Sequence, residues 1–242
     1  IRKAIDDARH PALYFVDSIS SLASMEYRHD DWGIDVTIGC SQKGLMVPPG
    51  LGLNAVGEKA LAAYKTAKLP RYFWDWGLMA PSTEGNYPQT PAINLLFGLR
   101  ASVDMLLEEG IDNTIARHTR LAEATRAAVQ AWGLEIQCAV PEHRSNSVTA
   151  VMVPSGVDAD KLRKLALKHF DMALGTGLGK VKGKLFRIAH MGDTNDLTQA
   201  GALCGVEMVL PLVGIKPKAS GVAAALKVLA TKATSNVQEA AE

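Results

Sequence analysis

A lysine in the loop Ser41-Gln42-Lys43-Gly44 has the surroundings expected of a residue that does chemistry. Apolar segments lead into the loop at 34–38 and out of it at 45–47, and the turn Pro48-Pro49-Gly50 follows. Most lysines are solvated, but a lysine between buried segments can lose solvent from its amine and attack a carbonyl carbon. The pattern indicates a Schiff-base lysine, with a solvated loop lysine as the alternative.

A carboxylate upstream of Lys43 supplies a second component. Asp17 ends the apolar run 13–16, and a carboxylate at the C-terminal end of a parallel strand faces the crevice where open α/β sheets bind ligands. A strand-end aspartate followed by a loop lysine is typical of sites for pyridoxal 5'-phosphate, where the carboxylate keeps the pyridine nitrogen protonated and the amine binds the aldehyde. Judged alone, the pair Asp17-Ser18 favours a simple turn.

Four more positions could bind a phosphate. Ser41 and Gln42 flank the lysine and could donate hydrogen bonds. Tyr87 and Thr90 end a long loop in front of a helix, and a helix N-terminus binds phosphate well. A threonine cap before Pro91 explains Thr90 equally simply.

Arg187 is the candidate for binding a carboxylate. It lies in the alternating stretch Leu185-Phe186-Arg187-Ile188-Ala189. An arginine inside a strand either reaches water from the sheet edge or binds a carboxylate through two hydrogen bonds. The sequence leaves both roles open.

Other patterns do not meet the spacing that their chemistry requires. In the run 175–180, Gly-Thr-Gly-Leu-Gly-Lys, Lys180 stands where a Rossmann motif needs glycine, and Val181 stands where a phosphate loop needs Ser or Thr. We expect a turn there. The six histidines share no ligand spacing, and Cys40 is interpreted as a buried thiol. No metal site is predicted.

The composition is typical of a soluble globular protein of the cell interior and does not indicate a nucleic-acid or membrane protein. The net charge is +1, and no Lys/Arg-dense stripe with aromatics occurs. Three scattered cysteines favour a reducing compartment. No signal peptide or apolar run of about 20 residues is present. We expect a cytoplasmic location, although the chain begins at Ile1 and a targeting peptide could precede it.

The elements that must position these residues alternate between strands and helices. We expect a helix over 1–10, strands over 12–16, 32–39 and 51–56, a helix over 58–66, an ordered loop over 71–89, and helices over 90–109 and 112–132. Beyond 133 we expect strands over 147–153 and 184–190, and helices over 158–170, 196–211 and 216–231. This is an α/β fold, with a partial large domain at 1–132 and a small α/β domain at 133–242.

Four segments, in this order, resemble the class V aminotransferases of fold type I, in the branch of the serine–glyoxylate and alanine–glyoxylate enzymes. They are 16–22 (Val-Asp-Ser-Ile-Ser-Ser-Leu), 39–50 with Lys43, 87–91 (Tyr-Pro-Gln-Thr-Pro) and 186–192 (Phe-Arg-Ile-Ala-His-Met-Gly). The resemblance covers essentially the whole chain, which looks truncated at its N-terminus relative to that family.

The resemblance implies a role for each candidate residue. Lys43 resembles the lysine that forms the aldimine with pyridoxal phosphate and then moves the proton, and Asp17 resembles the partner of the pyridine nitrogen. Ile19 resembles the apolar residue under the cofactor ring, and Gln42 a phosphate ligand. Tyr87 and Thr90 resemble the residues that contact the phosphate of the partner subunit's cofactor, in a homodimer with shared sites. Arg187 resembles the arginine that binds the substrate α-carboxylate.

The implied reaction transfers an amino group from serine, or alanine, to the 2-oxo acid glyoxylate, giving glycine and hydroxypyruvate or pyruvate. Two alternatives stay open. The first is a lyase- or desulfurase-like member, although Cys138 and Cys204 do not lie in a Gly/Ser-rich loop. The second is a catalytically inactive fragment.

Overall fold

The structure is a computed structural model that describes residues 1–79 and 87–231. The chain forms two compact units, each described by itself. The first consists of residues 1–22 and 27–108, and the second of residues 23–26 together with the chain from 109 onward.

The first unit contains a mixed sheet with short helices. Its strands are β1 (Phe15–Asp17), β2 (Val36–Cys40) and β3 (Gly52–Val56), and its helices are α1 (Arg2–Asp7), α2 (Glu58–Tyr64), α3 (Trp76–Met79) and α4 (Ile93–Glu109), whose last residue belongs to the second unit. The strand order is β1-β2-β3, with β1 parallel and β3 antiparallel to β2. The parallel pair brings the carboxyl ends of β1 and β2 to one edge of the sheet.

A buried carboxylate fixes the other end of the parallel pair. Asp35 is 7% exposed and accepts a hydrogen bond of 2.6 Å from the Tyr14 backbone N–H. Arg2 lies 3.2 Å and Lys59 3.7 Å from the same carboxylate oxygen. Because these residues come from α1, α2 and the entries to β1 and β2, one aspartate ties together the elements that precede the site.

The predicted strand over 32–39 begins too early. The backbone N–H groups of Trp32, Gly33 and Ile34 bond back to residues 28–30 in consecutive turns, and Gly33 has a φ of 59°. The chain therefore becomes extended only beyond Asp35, and β2 starts at Val36. The loop predicted over 71–89 contains the short helix α3, and its residues 80–86 lie outside the described part.

The second unit is an antiparallel sheet covered by helices. Its strands are β4 (Glu135–Ile136), β5 (Val148–Met152), β6 (Gly175–Thr176) and β7 (Leu185–Ala189), in the order β4-β5-β7-β6. Its helices are α5 (Ile111–Trp132), α6 (Ala159–Phe170), α7 (Asp196–Val209) and α8 (Gly221–Leu229). Part of the segment predicted as a turn at 175–180 is thus the edge strand β6.

The core of the second unit explains where the compact units divide. Trp132 and Leu121 of α5 are fully buried with Phe186 of β7 and Leu203 of α7, and α5 packs along α8. The sequence placed α5 in the first domain, with a boundary at 132–133. The compact units instead divide at 108–109, because the apolar side chains of α5 are buried in the second core.

Among the described residues, one segment is long and apolar enough to cross a membrane by length and composition, namely Asp196–Val213. It comprises α7 and the following turn. Leu203, Val206 and Val209 from this segment are fully buried in the core of the second unit. We therefore interpret it as a core helix.

Candidate active site

The loop that carries Lys43 is closed by the buried Ser41. The Ser41 hydroxyl donates to the Pro48 carbonyl at 2.8 Å and accepts from the Leu51 backbone N–H at 3.2 Å. The Ser41 carbonyl also accepts from the Val47 N–H at 2.9 Å. The expectation that the Ser41 hydroxyl donates to a phosphate is therefore wrong, because it is already used to hold both ends of the loop together.

Helix α4 packs against the outgoing side of this loop. The Ser102 hydroxyl, which is buried, donates to the Leu45 carbonyl. A side chain at Gly50, whose φ is 148°, would lie 2.5 Å from Leu95. The loop is thus held both by its own hydrogen bonds and by a helix, which positions the half-buried Lys43 between fixed segments.

Asp17 is the last residue of β1 and forms the turn that its sequence favoured. Its Oδ1 accepts a hydrogen bond of 2.9 Å from the Ile19 backbone N–H. The Ser18 hydroxyl donates to the Ile38 carbonyl at 2.9 Å, which joins this turn to β2. The second carboxylate oxygen of Asp17 has no partner within the described segments, and the side chain is exposed. The turn and the ligand role are therefore compatible.

The sheet brings Asp17, Ile19 and Lys43 to one edge. Asp17 pairs with Ile38 in parallel register, and Lys43 follows the end of β2 after three residues. The Cys40 thiol, which is buried, lies 3.9 Å from the Ile19 carbonyl. A carboxylate, an apolar side chain and an amine thus follow the carboxyl ends of two neighbouring parallel strands, where α/β sheets bind ligands.

The other predicted phosphate ligands of the first unit are accessible. Gln42, Tyr87 and Thr90 are exposed, Tyr87 to 47%. Helix α4 starts at Ile93, so the predicted start at Thr90 is two to three residues too early. Tyr87 and Thr90 lie on the segment that leads into the helix packed on the lysine loop.

A glutamine between them was missed by the sequence reasoning. The Gln89 Nε2 atom is buried and has no hydrogen-bond partner among residues 1–79 and 87–231. A buried amide N–H without an acceptor is unfavourable, so this donor is a further candidate for contact with a ligand. Nothing in the sequence separates it from an ordinary loop glutamine.

Arg187 lies in the second unit, in the middle of β7. Its strand neighbours Phe186 and Ile188 are buried, whereas Arg187 is half-buried on the opposite face. Its Nε is buried and has no hydrogen-bond partner, and it forms no ion pair with any described residue. A buried Nε without an acceptor is unfavourable, which favours the role of a carboxylate fork.

Two buried histidines, His118 and His190, lie at the loop after β7. His118 Nδ1 donates to the Thr114 carbonyl at 2.7 Å, so its Nε2 accepts from the Gly192 N–H at 3.0 Å. Burial lowers the pKa of His118. Arg117 forms two hydrogen bonds with Glu109 and another with the Gly192 carbonyl. The histidines are structural, and no group of three or more metal-binding side chains occurs among the described residues.

A family model for class V aminotransferases matches residues 2–181. The chain belongs to the class V aminotransferase family. The cofactor of this family is pyridoxal phosphate. The match contains Asp17, Lys43 and Thr90, so the geometry at the edge of β1 and β2 falls within it.

The relatives of this class V chain include several glyoxylate aminotransferases. It is 48% identical to the L-aspartate–glyoxylate aminotransferase of Paracoccus denitrificans over 93% of its length and 57% of the relative. It is 47% identical to the serine–glyoxylate aminotransferase of Arabidopsis thaliana over the same shares. The crystal structure of pyridoxamine–pyruvate aminotransferase from Mesorhizobium loti matches with a TM-score of 0.86 and 34% identity, covering 93% of this chain and 59% of that one. The chain thus spans somewhat more than half the length of these relatives.

The residues at the edge of the first sheet fit pyridoxal phosphate. A protonated pyridine nitrogen needs a carboxylate, and Asp17 has an oxygen left over from its turn. An aldehyde needs an amine without a fixed partner, and no described residue pairs with the Lys43 amine. The buried, unpaired Gln89 Nε2 adds a donor on the segment before α4. The donor set matches the chemistry of this cofactor.

Proposed function

We propose that the chain carries out pyridoxal-phosphate-dependent transamination from serine to glyoxylate. The C–N bond at the serine Cα breaks and a C–N bond forms at the aldehyde carbon of glyoxylate, so that L-serine and glyoxylate become hydroxypyruvate and glycine. Serine is oxidised as glyoxylate is reduced, and no outside oxidant is needed. The observation that supports the proposal is that Asp17 and the Lys43 loop lie at the carboxyl ends of the neighbouring parallel strands β1 and β2.

Lys43 is the residue proposed to move the proton. The bound cofactor supplies an aldehyde and an electron-withdrawing ring. The Lys43 amine would take the proton from the substrate Cα and return it later, a role that needs a fixed position. The hydrogen bonds of Ser41 supply that fixed position. Asp17 would keep the ring nitrogen protonated, and Ile19, beside it, would pack under the ring.

The phosphate and the substrate carboxylate would be bound by separate groups. Gln42 would donate to the phosphate in its own subunit, and Tyr87 and Thr90 to the phosphate in the partner subunit of a homodimer. The exposure of all three side chains supports a role in binding a group from outside the unit. Arg187 would hold the α-carboxylate, which the buried, unpaired Nε supports.

The relatives support glyoxylate as the acceptor more strongly than any one donor. Two of those described above use glyoxylate by name, one with aspartate and one with serine. The donor assay therefore includes L-aspartate and L-alanine beside L-serine. A cytoplasmic location is proposed as well, and the free thiols of Cys40, Cys138 and Cys204 support it.

The positions of two cysteines bear on the desulfurase-like alternative. Cys204 is exposed within helix α7. Cys138 follows β4, with its thiol 3.3 Å from the Val140 carbonyl. Cys204 therefore lies on a helix and not on a loop, and no Gly/Ser-rich loop surrounds Cys138, so no observation favours this alternative.

The test is to add pyridoxal phosphate to the purified chain and measure the absorbance of the bound cofactor and the formation of glycine from glyoxylate. We expect Lys43→Ala to lose the absorbance band and at least about a thousandfold in rate, because the nucleophile and the proton carrier are removed together. The matched control is Lys68→Ala, since Lys68 is an exposed lysine of the same unit. A wild-type chain without the band, or a Lys43→Ala chain with full activity, would refute the proposal.

A further inference from the structure

A glycine lies directly opposite the candidate carboxylate-binding arginine. Gly175 of β6 pairs with Arg187 of β7 in antiparallel register. Residues directly opposite each other in such a pair project from the same face of the sheet. Gly175 and Arg187 therefore share one face at the β6 edge.

The Arg187 side chain occupies the space that a side chain at position 175 would need. A Cβ on Gly175 would lie 2.9 Å from the Arg187 Cβ and 3.0 Å from its Nε. The backbone of Gly175 is not in the left-handed region, so its φ does not demand glycine. Position 175 therefore needs glycine because a side chain there has no room beside Arg187.

Strand β6 is tied to α6 and cannot shift freely to make room. The Thr176 hydroxyl donates to Asp160 Oδ1 at 3.0 Å, and Arg163 Nε donates to the Leu174 carbonyl at 2.8 Å. Arg163 also lies 2.8 Å from Asp160. A side chain at position 175 would therefore displace the Arg187 guanidinium in addition to straining the strand pair.

Arg187 differs from the other arginines of the second unit. Each of the others donates to a carboxylate or a carbonyl group: Arg117, Arg120, Arg126, Arg144 and Arg163. The Arg187 Nε alone is buried without an acceptor among the described guanidinium groups. Since a buried N–H that lacks an acceptor is unfavourable, the missing acceptor points to a ligand.

We propose that Gly175 is a positioning residue for the substrate carboxylate, because it leaves the space in which the Arg187 guanidinium is held toward its ligand. This inference rests on the proposed function, from which the carboxylate ligand follows. Gly175→Ala is expected to weaken the binding of a 2-oxo acid about tenfold, the loss typical of one charge-assisted hydrogen bond.

The experiment measures glyoxylate affinity by calorimetry, with protein that has been incubated with pyridoxal phosphate. The variants are Gly175→Ala, Arg187→Ala and the double variant, and the control is Gly201→Ala, where a Cβ meets nothing within 4 Å. We expect Gly175→Ala to lose about tenfold in affinity in the wild-type background and nothing further in the Arg187→Ala background. We expect Gly201→Ala to match the wild type.

A second readout separates positioning from general damage to the fold. Gly175→Ala should raise the KM for L-serine while leaving the reaction of 2-aminoethanol, which has no carboxylate, unchanged. Equal losses for both amines, or an unchanged glyoxylate affinity, would overturn the inference. If Gly175→Ala does not fold, Ala150→Val replaces it, because Ala150 is opposite Arg187 on β5. An unchanged affinity there would overturn the inference too.

Glyoxylate binding and glycine formation by the wild-type chain distinguish a failure of this inference from a failure of the proposed function. If it binds glyoxylate through Arg187 but forms no glycine, the proposed transamination fails, and the affinities of the Gly175 variants still decide the inference. If it binds no glyoxylate, both fail.

Discussion

Acid should destabilise the second unit, and the buried His190 makes a contribution that can be measured by itself. His190 is fully buried, with Nδ1 donating to the Asn146 carbonyl at 2.8 Å and Nε2 2.9 Å from the Thr149 hydroxyl. A carbonyl only accepts, so Nδ1 carries a proton, and the lowered pKa leaves the ring neutral at pH 7. Burial lowers the pKa of His190 to about 4, against a contribution from the Asn146 hydrogen bond that raises it, and the positive charge of Arg126 lowers it further.

The sign and size of the effect follow from linkage. The pKa of His190 is about 6.5 in the unfolded chain and about 4 in the folded one. At pH values between these two, the unfolded state binds more protons at His190 than the folded state does. The free energy of unfolding therefore falls as the pH falls from 6.5 to 4. From pH 7.5 to pH 4 the loss from this one group is about 3 kcal/mol. That is a large part of the 5–15 kcal/mol that is roughly typical of a folded domain.

The assay is urea unfolding at fixed ionic strength, from pH 7.5 to pH 4. His190→Gln should be less stable than the wild type at pH 7.5, because the ring hydrogen bonds are lost. Its stability should then fall by about 3 kcal/mol less than that of the wild type over this range. His169→Gln, at an exposed histidine on α6, is the control and should keep the wild-type slope. Equal slopes for His190→Gln and the wild type would refute the reasoning.

Two further predictions concern the first unit. Ser41→Ala removes the hydroxyl that donates to the Pro48 carbonyl. We expect this variant to lower the free energy of unfolding by about 1–3 kcal/mol and also to lower the rate of transamination. An unchanged free energy of unfolding would show that the hydroxyl does not hold the loop. In a shared-site homodimer, mixing Lys43→Ala chains with Tyr87→Phe/Thr90→Ala chains should restore one intact site per mixed dimer. Glycine formation no higher than in either parent alone would contradict the shared site.

Much of the fold was predictable from local patterns. The predicted helices over 90–109 and 112–132 are indeed separated at Gly110, which has a φ of 85°, and α5 ends at Trp132, before Gly133 in the left-handed conformation. Asp158 caps α6 through its side chain. These positions are determined by residues within a few places along the chain, so sequence alone locates them.

The misplaced elements depended on distant contacts. The early strand residues 32–34 have strand-like composition, yet their hydrogen bonds go to residues 28–30 because Asp35 is held by Arg2 and Lys59. The sequence pattern assigns helix α5 to the first domain, because the strand–helix alternation of the small domain begins only after Gly133. Its buried side chains have their partners on α7, α8 and β7, which no local pattern reveals.

The sequence predicts the chemistry from residue types and their order: an amine on a loop, a carboxylate at a strand end and an arginine within a strand, as in one family. The folded chain adds what no local pattern shows: Ser41 closes the loop, the buried N–H groups of Gln89 and Arg187 have no acceptor among the described residues, and Gly175 leaves room for the guanidinium. The physical reason is that residue type fixes what a side chain can do. Whether its donors already have partners depends on segments that are far apart in the chain.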